Sequence, residues 1–202
     1  MILLQLMSYV IMGLGNPGDE YKTTRHNVGR IMVERFRKKY DFPMWSEEKK
    51  KGFLISKGKI GKHAITLILP ELFMNKSGNS IKSLITNQKK AEQLVVVYDD
   101  IDLGLSDYKI SFGRGSGGHR GIESVIKIIK TKNFIRVRIG IAPTTVSGKI
   151  RKPKGENKVL GFLMGDFGKK EIKIIQKTSV TVNKILETVI EEGVVSAMNI
   201  YN

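Results

Sequence analysis

The chain has 202 residues, of which 41% are hydrophobic and 27% are charged, and it contains no cysteine. This composition excludes a disordered or fibrous protein, and the lack of thiols excludes disulfides, thiolate metal sites and a cysteine nucleophile. The 35 Lys and Arg residues against 19 Asp and Glu give a net charge of +16, which favours a polyanionic partner such as nucleic acid or an acidic membrane surface.

The apolar run at residues 1–15 resembles a secretory signal in its hydropathy only. Its first positive charge is Lys22, whereas a signal peptide begins with a basic region. The run leads directly into a turn-rich segment, as a buried first strand does. No stretch reaches the roughly 20 apolar residues that a membrane-spanning helix needs. We therefore expect a cytoplasmic protein without a membrane partner.

Strands and helices alternate along the chain. Apolar runs rich in β-branched residues predict strands at residues 8–14, 53–60, 64–69, 94–98, 108–112 and 134–141. Apolar residues at helical spacing predict helices at residues 24–39, 81–85, 122–129 and 172–189. We expect a single α/β domain over residues 1–202, with a mixed, mostly parallel twisted sheet and helices on both faces.

The segment GLGNPG at residues 13–18 follows the first strand and formally matches the glycine pattern of dinucleotide-binding turns. Such a site needs a helix that opens on the turn and offers free amides to phosphate. Here Pro17 lacks an amide hydrogen, Asp19 and Glu20 add negative charge, and helical periodicity begins only near residue 24. The alternative is that the turn presents polar side chains, above all Asn16, over the carboxyl ends of the strands.

Each of the three histidines has a structural interpretation. His63 lies between two predicted strands, which indicates an exposed hairpin position. His26 lies near the start of the first predicted helix, where a capping role competes with a catalytic one. His119 belongs to the glycine-rich loop GRGSGGHRG at residues 113–121, which precedes a helix. That loop is suited to binding an anion, to acting as a lid, or simply to connecting two elements.

Acidic residues follow the fourth predicted strand, at Asp99, Asp100 and Asp102. Active sites of α/β proteins lie at the carboxyl ends of strands, so one of these acids is a candidate to hydrogen-bond His26 and stabilise its imidazolium form. The sequence does not distinguish which of the three does so. A simple turn and a magnesium site of paired carboxylates are the alternatives, although no phosphate-binding loop lies nearby.

Two stretches, residues 35–62 and residues 148–158, are strongly basic. The second combines Gly, Pro and Asn with five cations and a single acid, Glu156, and we expect it to form a surface loop. Its cations are Lys149, Arg151, Lys152, Lys154 and Lys158. Such stretches serve either as a solubilising face or as a surface for nucleic-acid phosphates.

Taken together, these segments resemble the bacterial-type peptidyl-tRNA hydrolase family over nearly the whole chain. The motifs are GLGNPG at 13–18 with Tyr21 and RHNVG at 25–29, FMNKSG at 73–78, DDIDL at 99–103, GGHRG at 117–121, RVRIGI at 136–141 and VLGF at 159–162. The ending AMN at 197–199 is similar as well. Each motif alone is weak, but six of them in order at similar spacing are highly specific.

The resemblance implies a usually monomeric enzyme that releases the peptide from peptidyl-tRNA without a metal or another cofactor. It implies that His26 is the catalytic histidine and that Asp99 supports it. It also implies that Asn16 and Asn75 are active-site amides that hold the peptide end of the substrate.

The resemblance further implies that Tyr21 and Phe73 contact the tRNA terminus or the adjoining peptide. The chain departs from the family at Arg120, where Asn usually follows Gly-Gly-His. Arginine keeps the donor capacity, loses the amide acceptor and adds a charge. We retain Arg120 as a candidate for substrate binding. A smaller departure is Leu72, where Thr often precedes the aromatic residue.

The residues favour direct attack by water on the ester between peptide and ribose, because no cysteine and no Gly-x-Ser-x-Gly elbow is present. His26 would act as the general base, and Asn16 or Asn75 would stabilise the oxyanion or fix the peptide. The acceptor end and phosphate backbone of tRNA would bind through Lys and Arg. The alternatives are a non-catalytic RNA-binding protein on the same scaffold and a nucleotide-dependent oxidoreductase.

Overall fold

The computed structural model describes residues 6–202, so the first five residues of the N-terminal apolar run, which we expect not to be a signal peptide, lie outside the described part. The strands are β1 Ser8–Gly13, β2 Ser46–Glu48, β3 Phe53–Ile60, β4 His63–Pro70, β5 Leu94–Gly104, β6 Tyr108–Phe112 and β7 Ile135–Ala142. The α-helices are α1 Val28–Lys39, α2 Gln88–Glu92, α3 Arg120–Ile129, α4 Glu156–Met164, α5 Lys169–Glu191 and α6 Val194–Tyr201. Short 3-10 helices cover Asp19–Tyr21, Arg25–Asn27, Lys49–Lys51 and Met74–Ile81.

The described strands form one seven-stranded sheet in the order β2-β3-β4-β1-β5-β7-β6. The four central strands β4, β1, β5 and β7 pair in parallel. At the edges, β2 and β3 pair antiparallel beside β4, and β6 pairs antiparallel with β7. The prediction of a mixed sheet with a parallel core is therefore confirmed.

Helices cover both faces of the sheet because successive strand residues point to opposite sides. Ile11 and Val95 pack with α1 and α5 in one buried cluster. Their neighbours Met12 and Val96 pack with α3 and the 3-10 helix Met74–Ile81 in a second cluster. Between residues 6 and 202, no helix has both the length and the apolar character needed to cross a bilayer.

Several elements differ from the predicted ones. β5 continues to Gly104, because its pairing with β7 carries the ladder past residue 98 and resumes after an irregularity between Asp100 and Gly104. The short helix expected at residues 81–85 is replaced by the 3-10 helix Met74–Ile81 and a turn. Four elements, β2, α2, α4 and α6, are not among those predicted, and α4 begins inside the segment that we expect to be entirely loop.

The prediction of an exposed His63 is wrong. His63 is only 3% exposed, because it is the first residue of β4 and its ring packs edge-on against Tyr9 of the neighbouring strand. Its Nδ1 accepts a hydrogen bond of 3.3 Å from the backbone amide of Met7. His63 is therefore a structural residue between adjacent strands.

Two glycines allow α1 to begin directly on the ends of the central strands. A Cβ at Gly29 would lie 2.2 Å from the carbonyl oxygen of Val97 in β5, and a Cβ at Gly13 would lie 2.6 Å from the carbonyl oxygen of Gly29. Real Cβ atoms do not approach backbone so closely. The start of α1 can therefore meet β1 and β5 only where both positions lack a side chain.

We predict that Gly29→Ala lowers the free energy of unfolding by about 1–3 kcal/mol or more, because the backbone of β5 must shift to admit the methyl group. Urea unfolding followed by circular dichroism measures the change. The matched control is Gly161→Ala in α4, where a Cβ meets no atom within 4 Å and helix propensity favours alanine by up to ~1 kcal/mol. Equal stability of the two variants would contradict the steric argument.

Candidate active site

The side chains of His26, Asp99 and His119 meet at one point, although they come from three separate elements. His26 lies in the 3-10 helix that precedes α1, Asp99 lies in β5, and His119 precedes α3. Nδ1 of His26 is 2.9 Å from each carboxylate oxygen of Asp99. Nε2 of His119 is 3.0 Å from Oδ1 of the same carboxylate. One carboxylate thus serves two imidazoles.

Burial and charge act in opposite directions on this group. Burial alone would raise the pKa of the Asp99 carboxyl, but the electrostatic attraction and hydrogen bonds of the two imidazoles outweigh it and hold this pKa well below its usual range. Burial likewise lowers the pKa of His26, and the Asp99 charge and hydrogen bond outweigh it, so the pKa of His26 is raised. Asp99 is therefore an ionised acceptor.

The hydrogen bonds assign different tautomers and different roles to the two imidazoles. Nδ1 of His119 accepts from the backbone amides of Gly121 and Ile122, at 3.1 and 3.3 Å, so its proton is on Nε2 and points to Asp99. His119 is thus the N-cap of α3, with both nitrogens engaged. His26 uses only Nδ1. Among residues 6–202 its Nε2 has no hydrogen-bond partner, and it is not one of the fully enclosed atoms without a partner, so it keeps some exposure to solvent.

Sequence reasoning found His26 and Asp99 but gave His119 no role of its own. The available signal was its position directly before a helical pattern, where a side-chain acceptor caps the free amides. What the sequence could not indicate is that its other nitrogen reaches Asp99, 20 residues earlier in the chain.

The same three side chains have the ligand types of a metal site, and their donor atoms lie within 4.8 Å of one another. Their hydrogen bonds account for the arrangement without an ion. Both ring nitrogens of His119 are already engaged. Nδ1 accepts the amide hydrogen bonds of the helix cap, and Nε2 carries a proton that it donates to Asp99. Metal binding there would release the cap of α3.

The three aspartates that follow one another in the sequence have different partners. Asp100 accepts a hydrogen bond from Arg138 in β7, and Asp102 forms an ion pair with Lys152. Only Asp99 faces the two histidines. Because each carboxylate has its own cationic or imidazole partner, the three do not form the paired arrangement of a magnesium site.

Asn16 is held next to His26 by two reciprocal hydrogen bonds with Asn27, the residue that follows His26. The side chain of Asn27 accepts from the backbone amide of Asn16 at 2.8 Å and donates to its carbonyl oxygen at 2.9 Å. The Asn16 carboxamide oxygen in turn accepts from the backbone amide of Met74 at 2.9 Å. This bond directs the Asn16 amide nitrogen away from Met74. Among the described residues, the only hydrogen-bond partner of that nitrogen is the Met164 sulfur, a weak acceptor at 3.8 Å. Asn27, which sequence reasoning missed, therefore fixes Asn16.

Arg25 anchors the 3-10 helix that carries His26. Its guanidinium donates to Glu171 at 2.9 Å and lies 4.5 Å above the ring of Phe162. Its backbone amide donates to the carbonyl oxygen of Gly165 at 3.0 Å. Contacts with α4, with α5 and with Gly165 between them thereby fix the 3-10 helix that carries His26.

The other four predicted site residues are at least partly exposed. Tyr21 and Phe73 pack edge-to-face with ring centroids 6.4 Å apart, and Phe73 remains 57% exposed. Asn75 is exposed one residue after Met74, which binds Asn16. Arg120 is also exposed and forms an ion pair of 2.6 Å with Glu156 at the start of α4. Of the seven predicted residues, the structure brings His26 and Asp99 into contact and links Asn16 to them through Asn27, which follows His26 in the chain.

Two cavities lie beside Asp99, His119 and the following Arg120, and together they form the cleft. One of about 620 Å³ lies between β5, β6 and the glycine-rich loop, and Lys109, Arg114 and Arg138 line it. The other, of about 530 Å³, lies between α3 and the 3-10 helix Met74–Ile81. The glycine-rich loop between them is anchored, because the buried Arg136 donates to backbone carbonyl oxygens of that loop and His119 caps the helix that follows.

The turn at residues 13–18 has no open helix end for a dinucleotide. The chain continues from it into the 3-10 helix Asp19–Tyr21, and α1 begins only at Val28. The α1 terminus is packed against the strand ends, since the amide of Arg30 donates to the carbonyl oxygen of Leu14 at 3.1 Å. The alternative that this turn presents Asn16 agrees with the structure.

Comparisons with known proteins agree with this geometry. The family model described as peptidyl-tRNA hydrolase matches residues 10–202. The peptidyl-tRNA hydrolase of Thermodesulfovibrio yellowstonii is 36% identical over 197 residues, covering 96% of this chain and 98% of that protein. That of Prochlorococcus marinus is 36% identical over 194 residues, covering 96% and 93%. The crystal structure of peptidyl-tRNA hydrolase from Acinetobacter baumannii superposes with a TM-score of 0.84 at 29% identity, covering 96% of this chain and 94% of that one.

We predict that His26 titrates above its ordinary pKa of about 6.5, because the ionised Asp99 stabilises its protonated form. Asp99→Asn removes that charge but keeps a hydrogen-bond acceptor. Because burial lowers the pKa of His26 and the opposing charge is then gone, the titration midpoint of His26 moves to lower pH. NMR of the His26 ring protons against pH measures both values. An unchanged midpoint in Asp99→Asn would show that the carboxylate does not control the protonation of His26.

Proposed function

Since the chain belongs to the peptidyl-tRNA hydrolase family, an enzyme family, we propose that it hydrolyses the ester between the peptide, or an N-blocked amino acid, and tRNA. The observation that supports this most is the 2.9 Å contact between Asp99 and Nδ1 of His26, together with the accessible Nε2 on the other side of the ring. An imidazole oriented in this way is a general base. In the cell, this reaction would recycle tRNA from peptidyl-tRNA that ribosomes release.

The proposed chemistry is direct attack by water. Nε2 of His26 takes a proton from the water molecule as its oxygen attacks the ester carbonyl, and the ring becomes an imidazolium. Asp99 holds the ring through Nδ1 and stabilises the positive charge that develops. The ester C–O bond then breaks, and the imidazolium returns a proton to the departing ribose oxygen. The products are a free peptide carboxylate and tRNA with its terminal hydroxyl restored.

Asn16 is the proposed donor to the carbonyl group of the substrate. Its amide nitrogen has only the weak sulfur contact of Met164, and its orientation is fixed by Met74 and Asn27. A donor that is held before the substrate arrives needs no reorganisation as charge develops, and one such donor contributes about 3 kcal/mol. Asn75 supplies a further amide at the rim, and the adjacent rings of Tyr21 and Phe73 form an apolar contact for the tRNA terminus.

The RNA is proposed to lie on the side of the larger cavity. Lys109, Arg114 and Arg138 line that cavity, and Val159, which directly follows the basic stretch at residues 148–158, lines it as well. Phosphate contacts by Lys and Arg position a nucleic acid without reading its sequence, as an enzyme acting on many different tRNAs requires. A single domain over residues 1–202, a monomeric state, independence of any cofactor and a cytoplasmic location complete the proposal.

We expect His26→Ala to lower kcat by about 10²–10⁴-fold, the range of general-base catalysis, while tRNA affinity changes little because the side chain of His26 is almost entirely buried. Hydrolysis of an N-acetylated aminoacyl-tRNA measures the first effect, and filter binding of deacylated tRNA measures the second. Hydrolysis at the wild-type rate would remove His26 from the proposed role.

We expect tRNA affinity to fall steeply with salt, and neutralisation of Lys149, Arg151, Lys152 and Lys154 to Gln to weaken it and to flatten the salt dependence. Each lost phosphate contact reduces the slope of log affinity against log salt by about 0.7–0.9. Hydrolysis of a minimal N-acetylaminoacyl-adenosine ester should not change, since that ester lacks the phosphates.

The matched control neutralises four exposed lysines away from the cleft, which are Lys57, Lys59, Lys89 and Lys90. They lie in β3 and in α2, and α2 directly precedes the amino end of β5, opposite the edge that carries the cleft. An equal loss of affinity in both sets would place the RNA elsewhere or indicate unspecific attraction.

A further inference from the structure

The smaller cavity is a groove of about 530 Å³ between α3 and the 3-10 helix Met74–Ile81, and the proposed mechanism uses only Asn75 of the residues that line it. One residue in each wall of the groove directly follows a residue that binds Asn16 or Asp99. Asn75 in its wall follows Met74, which binds Asn16, and Arg120 in the opposite wall follows His119, which binds Asp99. Its volume lies within the usual range of ligand sites. Whatever part of the substrate extends past Asn75 therefore enters this groove.

The groove has a rigid floor. A Cβ at Gly78 would lie 2.1 Å from the carbonyl oxygen of Ser124, so the 3-10 helix and α3 are in backbone contact where they cross. The amide of Gly78 also donates to Oγ of Ser124 at 2.9 Å. Since the two walls are joined in this way, the groove is formed before any ligand binds.

The amides of the groove match a peptide better than an RNA backbone. Asn75 and Asn79 each offer a donor and an acceptor, and an extended peptide presents both kinds of group along its backbone. A phosphate has no donor for the acceptor oxygens of these amides. The basic stretch at residues 148–158, which we propose for the RNA, leads into the larger cavity at Val159.

The charges of the groove are mainly positive. Lys76, Arg120 and Lys127 line it, against the single acid Glu123. A carboxylate already binds at its rim, because Glu156 contacts Arg120 at 2.6 Å. Both side chains of that ion pair are mostly exposed, and exposed pairs contribute little stability, so an incoming carboxylate can replace Glu156 at small cost.

We propose that this groove receives the peptide residues upstream of the ester-linked one, and that its lysine and arginine side chains make the enzyme favour peptides with acidic residues at those positions. The inference rests on the proposed function and adds a specificity to it. Arg120, which stands where the resembling family usually has Asn, is on this view a determinant of substrate charge.

Two substrates that differ in one charge per residue test the proposal. They are N-acetylated tripeptidyl-tRNAs with the same tRNA and the same ester-linked residue, and with glutamate or glutamine at both upstream positions. The RNA is common to both, so the ratio of their kcat/KM values reports the peptide side alone. We expect the wild-type enzyme to prefer glutamate by about two- to fivefold at low ionic strength and to lose this preference as salt screens the charges.

The double variant Lys76→Glu/Lys127→Glu should bring the ratio below one, since both positions are exposed and the change reverses the charge of the groove. The control Lys89→Glu/Lys90→Glu carries the same change of charge on α2 and should keep the wild-type ratio. Glu156→Gln should raise the ratio, because it frees Arg120 from its internal carboxylate.

The results separate this inference from the function on which it rests. A wild-type ratio near one, with both substrates hydrolysed, overturns the specificity and leaves the hydrolase activity intact. A glutamate preference that persists in Lys76→Glu/Lys127→Glu also overturns it, because the preference would then arise outside the groove. Failure of the wild-type enzyme to hydrolyse either substrate would instead overturn the proposed function.

Discussion

A single buried carboxylate organises the cleft. Asp99 accepts hydrogen bonds from His26 and His119, and its negative charge stays buried because both imidazoles donate to it. Leaving a buried hydrogen-bonding group without its partner costs more free energy than forming the hydrogen bond contributes. The two histidines therefore stay fixed as long as Asp99 is ionised. The same carboxylate therefore holds the ring of His26 and, through His119, secures the start of α3.

This meeting point depends on how closely the chain can approach itself. His26 and Asp99 are separated by 73 residues, and they meet because α1 begins directly on β1 and β5. Gly13 and Gly29 permit that approach, since a side chain at either position would overlap with backbone. Arg25 then holds the histidine segment from the α5 side. Gly13 and Gly29 thus permit close packing, and Asn16 and His26 lie between them in the chain.

The two cavities of the cleft differ in the side chains that line them. On one side of His119, a cavity and the basic stretch offer guanidinium and ammonium groups to a polyanion. On the other side, amides and a smaller number of cations line a rigid groove. In the proposed mechanism the ester that joins RNA to peptide lies at His26, which binds Asp99 in the wall of the larger cavity. Arg120 and Glu156 connect the walls across the mouth of the cleft.

Local patterns in the sequence were sufficient for most strands, for α1, α3 and α5, and for naming His26, Asn16 and a group of aspartates as candidates, because periodicity and turn chemistry act over a few residues. Long-range contacts decided the rest. Pairing with β7 extended β5 past residue 98, packing against Tyr9 buried His63, and cationic partners on other elements occupied Asp100 and Asp102, so that Asp99 alone faces the histidines. Those contacts join residues far apart in the chain, and no local pattern contains them.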